Sequence, residues 1–244
     1  MSSLKIIFFT HRCSHGLELL KSFKKNNIPI FAIFVEMENE KNPLKKCLKN
    51  IAPDFCINLL RKIRGAPLLT EWENIKTYYQ YTQQVNTVKN FNDLGFQKDL
   101  EAIQPDLIIL GGTRIIKSHI LETARLGTLN AHPGILPKYR GVDVIPWAIY
   151  NGDEIGVSVH YVDPGVDTGK ICITQIIPIK AGNTLQSLAK QAEVVAGELM
   201  AKVVKKIMTD GYIQTLSNPI EAGKQYYKMD KDTLKKTEEI LKQL

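Results

Sequence analysis

Three stretches of this chain are apolar at nearly every position over the length of a strand: "KIIFFT" (residues 5–10), "IPIFAIFVE" (28–36) and "DLIILGG" (106–112). A strand with one wet face alternates between apolar and polar residues. One that does not alternate must be covered on both faces. Between the first two runs lies "SHGLELLKSFKKNN" (14–27), with helical spacing and lysines at its end. Strand, helix, strand with both strands fully apolar predicts a parallel sheet with helices on both sides.

The pattern continues. "NPLKKCLKNI" (42–51), "NDLGFQKDLEAI" (92–103), "IIKSHILETAR" (115–125) and "VIPWAIYNG" (144–152) read as helices, and "GTLNAH" (127–132), "GVSVHYV" (156–162) and "KICITQIIPI" (170–179) as strands. A long helix over 183–208, capped by Asn183 or Thr184, has the apolar stripe to cover one sheet face. The expected fold class is α/β, a Rossmann-like, mostly parallel sheet within residues 1–210. Residues 211–244 form a lysine-rich appendage, with "DKDTLKKTEEILKQL" (230–244) as an exposed helix. The stretch 60–90 is less regular. "LRKIRGAPLL" (60–69) reads as a loop and "TEWENIKTYYQYTQQ" (70–84) as a helix, with Thr70 as cap and Glu73 closing a capping box. Trp72, Tyr78, Tyr79 and Tyr81 are there either as a stacking surface for a base or sugar or as core.

Charge narrows the partners. With 32 Lys+Arg against 25 Asp+Glu the formal charge is +7, which suits an anionic partner such as a phosphorylated metabolite, although many of the lysines read as solvated. No apolar run reaches transmembrane length, so a cytoplasmic protein with no membrane partner is expected. Cys13, Cys47, Cys56 and Cys172 show no C-x-x-C spacing and no clustering with histidines, which predicts reduced structural thiols and no metal site.

The chemistry concentrates in "LNAHPGILPKYRG" (129–141). Residues two apart on a strand share a face, so Asn130 and His132 project together near the carboxyl end of their strand, where open α/β sheets bind ligands. Pro133 helps to end the strand, and Lys138 and Arg140 ride on the loop beyond as candidate substrate-binding cations for an anion. An imidazole can move a proton near neutral pH, and an amide can stabilise a developing oxyanion. Together they suit acyl transfer through a tetrahedral intermediate. Asp167, in "DPGVDTG", is the leading acid to orient the imidazole, with Asp163 as competitor. His11, His15, His119 and His160 show no evident purpose.

"LNAHPGILPKYRG" followed by "WAIYNGDEIGVSVHYVDPGVDTGKI" closely resembles the signature of the folate-dependent formyltransferases. That group includes phosphoribosylglycinamide, methionyl-tRNA and nucleotide-sugar N-formyltransferases. The specific match runs from about residue 105 to 177, within a wider pattern over roughly 5–208. The resemblance implies 10-formyltetrahydrofolate as formyl donor, no metal, and catalysis by Asn130, His132 and Asp167. It implies a folate pocket built from two loops, "GGTRII" (111–116), with Gly112, Thr113, Arg114, Ile115 and Ile116, and "VDPGVDTG" (162–169), with Val162, Asp163 and Gly165.

Which amine takes the formyl group is read by elimination. The first strand is followed by "THRCSHGLELL", without the glycine-rich phosphate loop of the glycinamide enzymes. The tRNA enzymes carry a substantial C-terminal domain, and this chain ends soon after its longest predicted helix. A small, phosphorylated amine, most simply a nucleotide-linked amino sugar, is therefore expected, with no nucleic-acid partner and with a homodimer as one open arrangement. Glycinamide ribonucleotide and methionyl-tRNA stay as alternatives, as does a folate- or nucleotide-binding module without catalysis.

Overall fold

A computed structural model of the chain describes residues 4–37 and 74–244. Its main sheet contains β1 (Ile6–Thr10), β2 (Ala32–Glu36), β3 (Val85–Val88), β4 (Leu107–Gly111) and β5 (Thr128–His132). Beyond a short strand outside this sheet, β6 (Tyr139–Gly141), it gains β7 (Ile155–Tyr161) and β8 (Ile171–Ile177). The spatial order is β3-β2-β1-β4-β5-β7-β8. Strands β1 to β5 pair in parallel, while β7 and β8 join antiparallel. This is the expected, mostly parallel α/β sheet.

Alternate residues of the apolar strands feed two separate cores, which is why those strands lack polar positions before their last residues, Thr10 in β1 and Glu36 in β2. Ile6 and Phe8 of β1 pack with Leu19, Leu20 and Phe23 of α1 (Ser14–Lys25). Ile7 and Phe9 face the other way, onto Phe96 and Leu100 of α2 (Leu94–Ile103). Each such side chain stabilises the fold by roughly 1.5–3 kcal/mol through burial. The next helices are α3 (Ser118–Leu121), α4 (Val144–Tyr150) and α5 (Leu185–Asp210). The long α5 shares the first core through Leu199, Met200, Val203 and Val204. Thr184 caps α5 in a reciprocal box: its Oγ1 accepts from Ser187 N at 3.1 Å, and Thr184 N donates to Ser187 Oγ at 2.9 Å. Asn183 is not the cap; its side chain accepts from Lys180 N. Among the described residues, no helix is long and apolar enough to cross a membrane.

Several expectations change. The helix expected over 115–125 is a single turn, α3. Residues Ile75–Gln80 form a 3-10 helix capped by Asn74, and β3 occupies a stretch where no strand was expected. Tyr78 is fully buried and is therefore core, whereas Tyr79 is exposed. The expected helix 42–51, the loop 60–69, the Thr70–Glu73 capping box, Trp72, Cys47 and Cys56 lie outside the described residues. Cys13 and Cys172 are free thiols, and burial pushes Cys172 up to about 12.

The largest revision concerns the tail. Strand β9 (Lys224–Tyr226) pairs in parallel with β6, and α6 (Lys231–Leu241) packs against α4. Thr237 and Leu241 of α6 are buried, as is Met229 just before it. The tail helix is amphipathic and docked instead of exposed. Tyr226 stacks on Tyr139 with ring centroids 5.0 Å apart, and Trp147 Nε1 donates to Tyr227 O at 2.8 Å.

Candidate active site

Asn130 and His132 lie two apart on β5, as the sequence requires, and β5 is paired on both sides. On one side Leu110 of β4 is in register with Asn130; on the other, β7 places His160 opposite Asn130 and Tyr161 opposite Leu129. Strand β4 therefore ends, and β7 ends, close to the level of Asn130. The two loops expected to form the folate pocket, 111–116 and 162–169, follow the strands that flank β5, and because β7 is antiparallel the second leaves toward the amino end of β5.

The second loop folds back so that Asp167 meets both imidazoles. Its Oδ2 lies 3.4 Å from His132 Nδ1 and accepts from Gly141 N at 2.9 Å, and its Oδ1 lies 3.5 Å from His160 Nε2. Asp167 has φ +53°, a left-handed conformation that a residue with a side chain adopts only when its surroundings hold it. The competitor Asp163 has a different task. Its Oδ1 accepts from Gly165 N at 3.1 Å and from Thr168 Oγ1 at 2.5 Å, which closes the loop on itself.

Hydrogen-bond chemistry assigns the protons. His132 Nε2 lies 2.8 Å from the Tyr139 carbonyl, an acceptor only, so Nε2 carries a hydrogen. The His132 Nδ1 position then faces the Asp167 carboxylate and is the atom that can gain or lose a proton. His160 Nδ1 likewise donates to the Tyr161 carbonyl at 2.7 Å, which leaves its Nε2 as acceptor for Asn130 Nδ2 at 3.2 Å. An amide nitrogen has two hydrogens, and this bond uses one. The other can serve a carbonyl oxygen arriving from outside, since Asn130 is only partly buried while His132 and His160 are almost wholly so.

These contacts set opposed charges. Burial tends to raise the Asp167 carboxyl, but His160 when its ring is cationic and Nε2 carries a hydrogen, the His132 charge and the Gly141 N–H outweigh it and hold it down at about 2. Burial lowers His132, and Asp167 works against that lowering. His15, at the first turn of α1, lies in the same field and is held down to about 4 by burial, hence neutral near pH 7. A fixed carboxylate, a buried imidazole that can switch charge and an oriented amide form one cluster.

Sequence reasoning missed His160. The signal was present, because β7 follows β5 as an antiparallel neighbour, but only the register reveals that His160 stands opposite Asn130. Ser158, on the same face, shapes the loop after β5: its Oγ donates to Gly134 O at 2.8 Å and accepts from Leu136 N at 3.0 Å. Glu36 was also missed. It is buried at the end of β2, with His11 Nε2 and Arg114 Nε each 3.1 Å from its carboxylate. Arg114 of the first loop is thereby drawn toward β2. Around it Gly112 takes φ +73°, Ile116 is buried and Ile115 is largely exposed, while Asn92 Nδ2 donates to Ile115 O at 2.9 Å.

The two expected anion contacts behave differently. Lys138 is exposed and pairs with Asp153 at 2.7 Å. Arg140 is 4% exposed, and its Nη2 donates to Ile220 O at 2.7 Å and Gly223 O at 3.0 Å. Burial and two main-chain acceptors make Arg140 a tie between segments, which corrects its reading as an anion ligand.

Comparison with known proteins agrees with this fold. Residues 4–204 match the family model described as "Formyl transferase". Methionyl-tRNA formyltransferase of Thermodesulfovibrio yellowstonii is 34% identical over 121 residues, 49% of this chain and 39% of that protein. The matched stretch spans less than half the length of each of the first such relatives. Glycinamide ribonucleotide transformylase 1 from Symbiobacterium toebii shares the fold with a TM-score of 0.63 at 16% identity, over 86% of this chain and 90% of that one. An N-formyltransferase from Helicobacter canadensis, solved with folinic acid and dTDP-3-aminofucose, does so with a TM-score of 0.60 at 17% identity, over 91% and 70%.

Proposed function

This chain belongs to the formyl transferase family, and we propose that it transfers the formyl group of 10-formyltetrahydrofolate to the amine of a small substrate. The observation that carries the reading is the convergence of Asn130, His132 and Asp167 at one point between the loops 111–116 and 162–169.

The residues present fit such a donor. The second N–H of Asn130 suits a formyl oxygen, and two loops beside it offer main-chain atoms to a flat ring system. When bound, the folate supplies the activated formyl carbon and a nitrogen able to leave. The chain's own groups then divide the work. Asn130 donates to the formyl oxygen as negative charge develops there. His132, once protonated at Nδ1, adds a positive charge beside it and is the group from which the departing nitrogen would take up a proton as its bond to the formyl carbon breaks. Asp167 holds that imidazolium and is the base through which the attacking amine loses its proton, directly or through water. His160 keeps the Asn130 amide oriented by accepting one of its hydrogens.

For the amine, a nucleotide-linked amino sugar is the reading best supported. The formal charge of +7 suits a substrate that carries a diphosphate. The likeness to the Helicobacter enzyme extends over 91% of this chain, into its C-terminal segment. A second reading, methionyl-tRNA, has the curated sequence relatives in its favour. The test is release of tetrahydrofolate from 10-formyltetrahydrofolate with amino-sugar nucleotides, glycinamide ribonucleotide and methionyl-tRNA, using His132→Ala as control. Turnover of an amino-sugar nucleotide that His132→Ala abolishes supports the proposal. Turnover confined to methionyl-tRNA overturns the substrate, and folate binding without turnover on any amine overturns the catalysis.

A further inference from the structure

We infer that Asn218, in the C-terminal segment, is a positioning residue for the site: its side-chain amide fixes the backbone at Asp167 and thereby sets the contact between Asp167 and His132. The inference rests on reading Asp167 and His132 as the working pair, but not on the identity of the amine.

Asn218 is 9% exposed, and its Nδ2 donates to two carbonyls of the Asp167 loop, Asp167 O and Gly169 O, each at 2.9 Å. Both partners are acceptors, so a group with at least two hydrogens must serve them together, and in Asn218 that is the NH2 end. A hydroxyl has one hydrogen to give, and a carboxylate none. What Asn218 holds is the one residue of the trio in the left-handed region, φ +53°. Asp167 is thus gripped twice: through its carbonyl by Asn218, and through its carboxylate by Gly141 N–H.

Both grips trace to the tail. Two residues before Asn218, Leu216 exchanges main-chain hydrogen bonds with Ile171 at the start of β8, at 2.8 and 3.0 Å. Two residues after it, Ile220 gives its carbonyl to Arg140. Asn218 is therefore bracketed on both sides and does not hang on a free segment. Arg140 and Gly141 belong to β6, whose neighbour is β9 of the same tail, and Tyr139 of β6 supplies the carbonyl that holds His132 Nε2. One C-terminal segment thus reaches the acid from behind and braces the strand that aligns the imidazole.

A purely structural asparagine would satisfy two buried carbonyls and leave the electrostatics of the site unchanged. The imidazole distinguishes the two roles. The charges that act on His132 are those of Asp167 and His160, and only Asp167 lies on the loop that Asn218 holds. The experiment is an NMR titration of the histidine rings of the full chain, whose five histidines permit assignment by single substitution. It compares wild type, Asn218→Leu, Asp167→Asn and the double variant, with Met229→Ala as a control that loosens the same segment without touching the Asp167 loop. Asn218→Leu is expected to lower the His132 midpoint by at least about half a pH unit, in the direction of Asp167→Asn, since an opposite charge within reach raises an imidazole by about 1–3 units. The double variant should shift no further than Asp167→Asn alone, and Met229→Ala should leave the midpoint in place. If Asn218→Leu does not fold, Asn218→Ala, which admits water to both carbonyls, carries the same expectation. An unmoved midpoint, or shifts that add in full, overturns the inference. Failure of the proposed function shows separately, as a wild-type protein that formylates nothing.

Discussion

Replacing Asp167 by asparagine should make the folded state less sensitive to acid, by an amount set at this site. The wild-type carboxyl is held at about 2 against an ordinary 3.8, with its side chain only 15% exposed. Burial opposes that depression, and the two imidazoles with the Gly141 N–H produce it. At about 1.36 kcal/mol per pH unit, the fall from 3.8 to about 2 contributes roughly 2.4 kcal/mol of stability at neutral pH. Because the folded-state value is the lower one, the contribution is complete above the unfolded value and is lost as the pH falls through the folded value. Integrated between pH 4.5 and pH 3, the loss is about 1 kcal/mol. Urea unfolding of both proteins at those two pH values measures it. Wild type should lose about 1 kcal/mol more than Asp167→Asn over that interval. A gap between the two proteins that stays constant from pH 4.5 to pH 3 refutes the reasoning, because the carboxyl would then titrate alike in folded and unfolded chains.

Three further outcomes are expected. Asn130→Ala should lower kcat for tetrahydrofolate release by about 10²–10³-fold, the usual cost of removing one oxyanion donor, with KM for the folate little changed; a pure KM effect would assign Asn130 to binding. Gly16→Ala places a Cβ against the Gly111 carbonyl and 2.6 Å from Thr10 Oγ1, where α1 meets the ends of β1 and β4. It should cost roughly 1–3 kcal/mol in urea unfolding, as overpacking generally does, and a neutral result would mean that the helix can move away freely. Thr184→Ala removes the cap of α5 and should cost about 1 kcal/mol by the same measurement; no loss would show that the capping box is redundant.

Much of the fold was legible because β1, β2 and β4 are buried at all five of their positions, which apolar runs meet at every position except the strand ends Thr10 and Glu36. Strand β3 escaped notice for the opposite reason. It is an edge strand whose middle residues Asn86 and Thr87 are exposed, so no hydrophobic pattern marks it. The helix expected over 115–125 stops after one turn, where Thr123 Oγ1 bonds to Ile120 O, a local hydrogen bond that competes with the helical ladder. In the site, Asn130 and His132 were readable from strand periodicity, and Asp167 from the family motif. His160 needed the β5–β7 register, and Arg140 looked like an anion ligand because its partners, Ile220 and Gly223, lie some 80 residues downstream. Local spacing reports faces and caps. It does not report which distant carbonyl a guanidinium will find.

The pairing of β6 with β9 also has a consequence in time. Synthesis is vectorial, and a loop as long as that between Tyr139 and Lys224 closes only after its far end exists. A nascent chain can assemble β1 to β5 and lay α5 across them while its last residues are still being added. The strand whose carbonyl holds His132 gains its neighbour only when β9 emerges, and Asp167 gains Asn218 shortly before. Competence of this site is thus a late event in the life of the molecule, reached after the sheet, and a polypeptide interrupted before residue 218 would carry all three residues of the trio without the frame that aligns them.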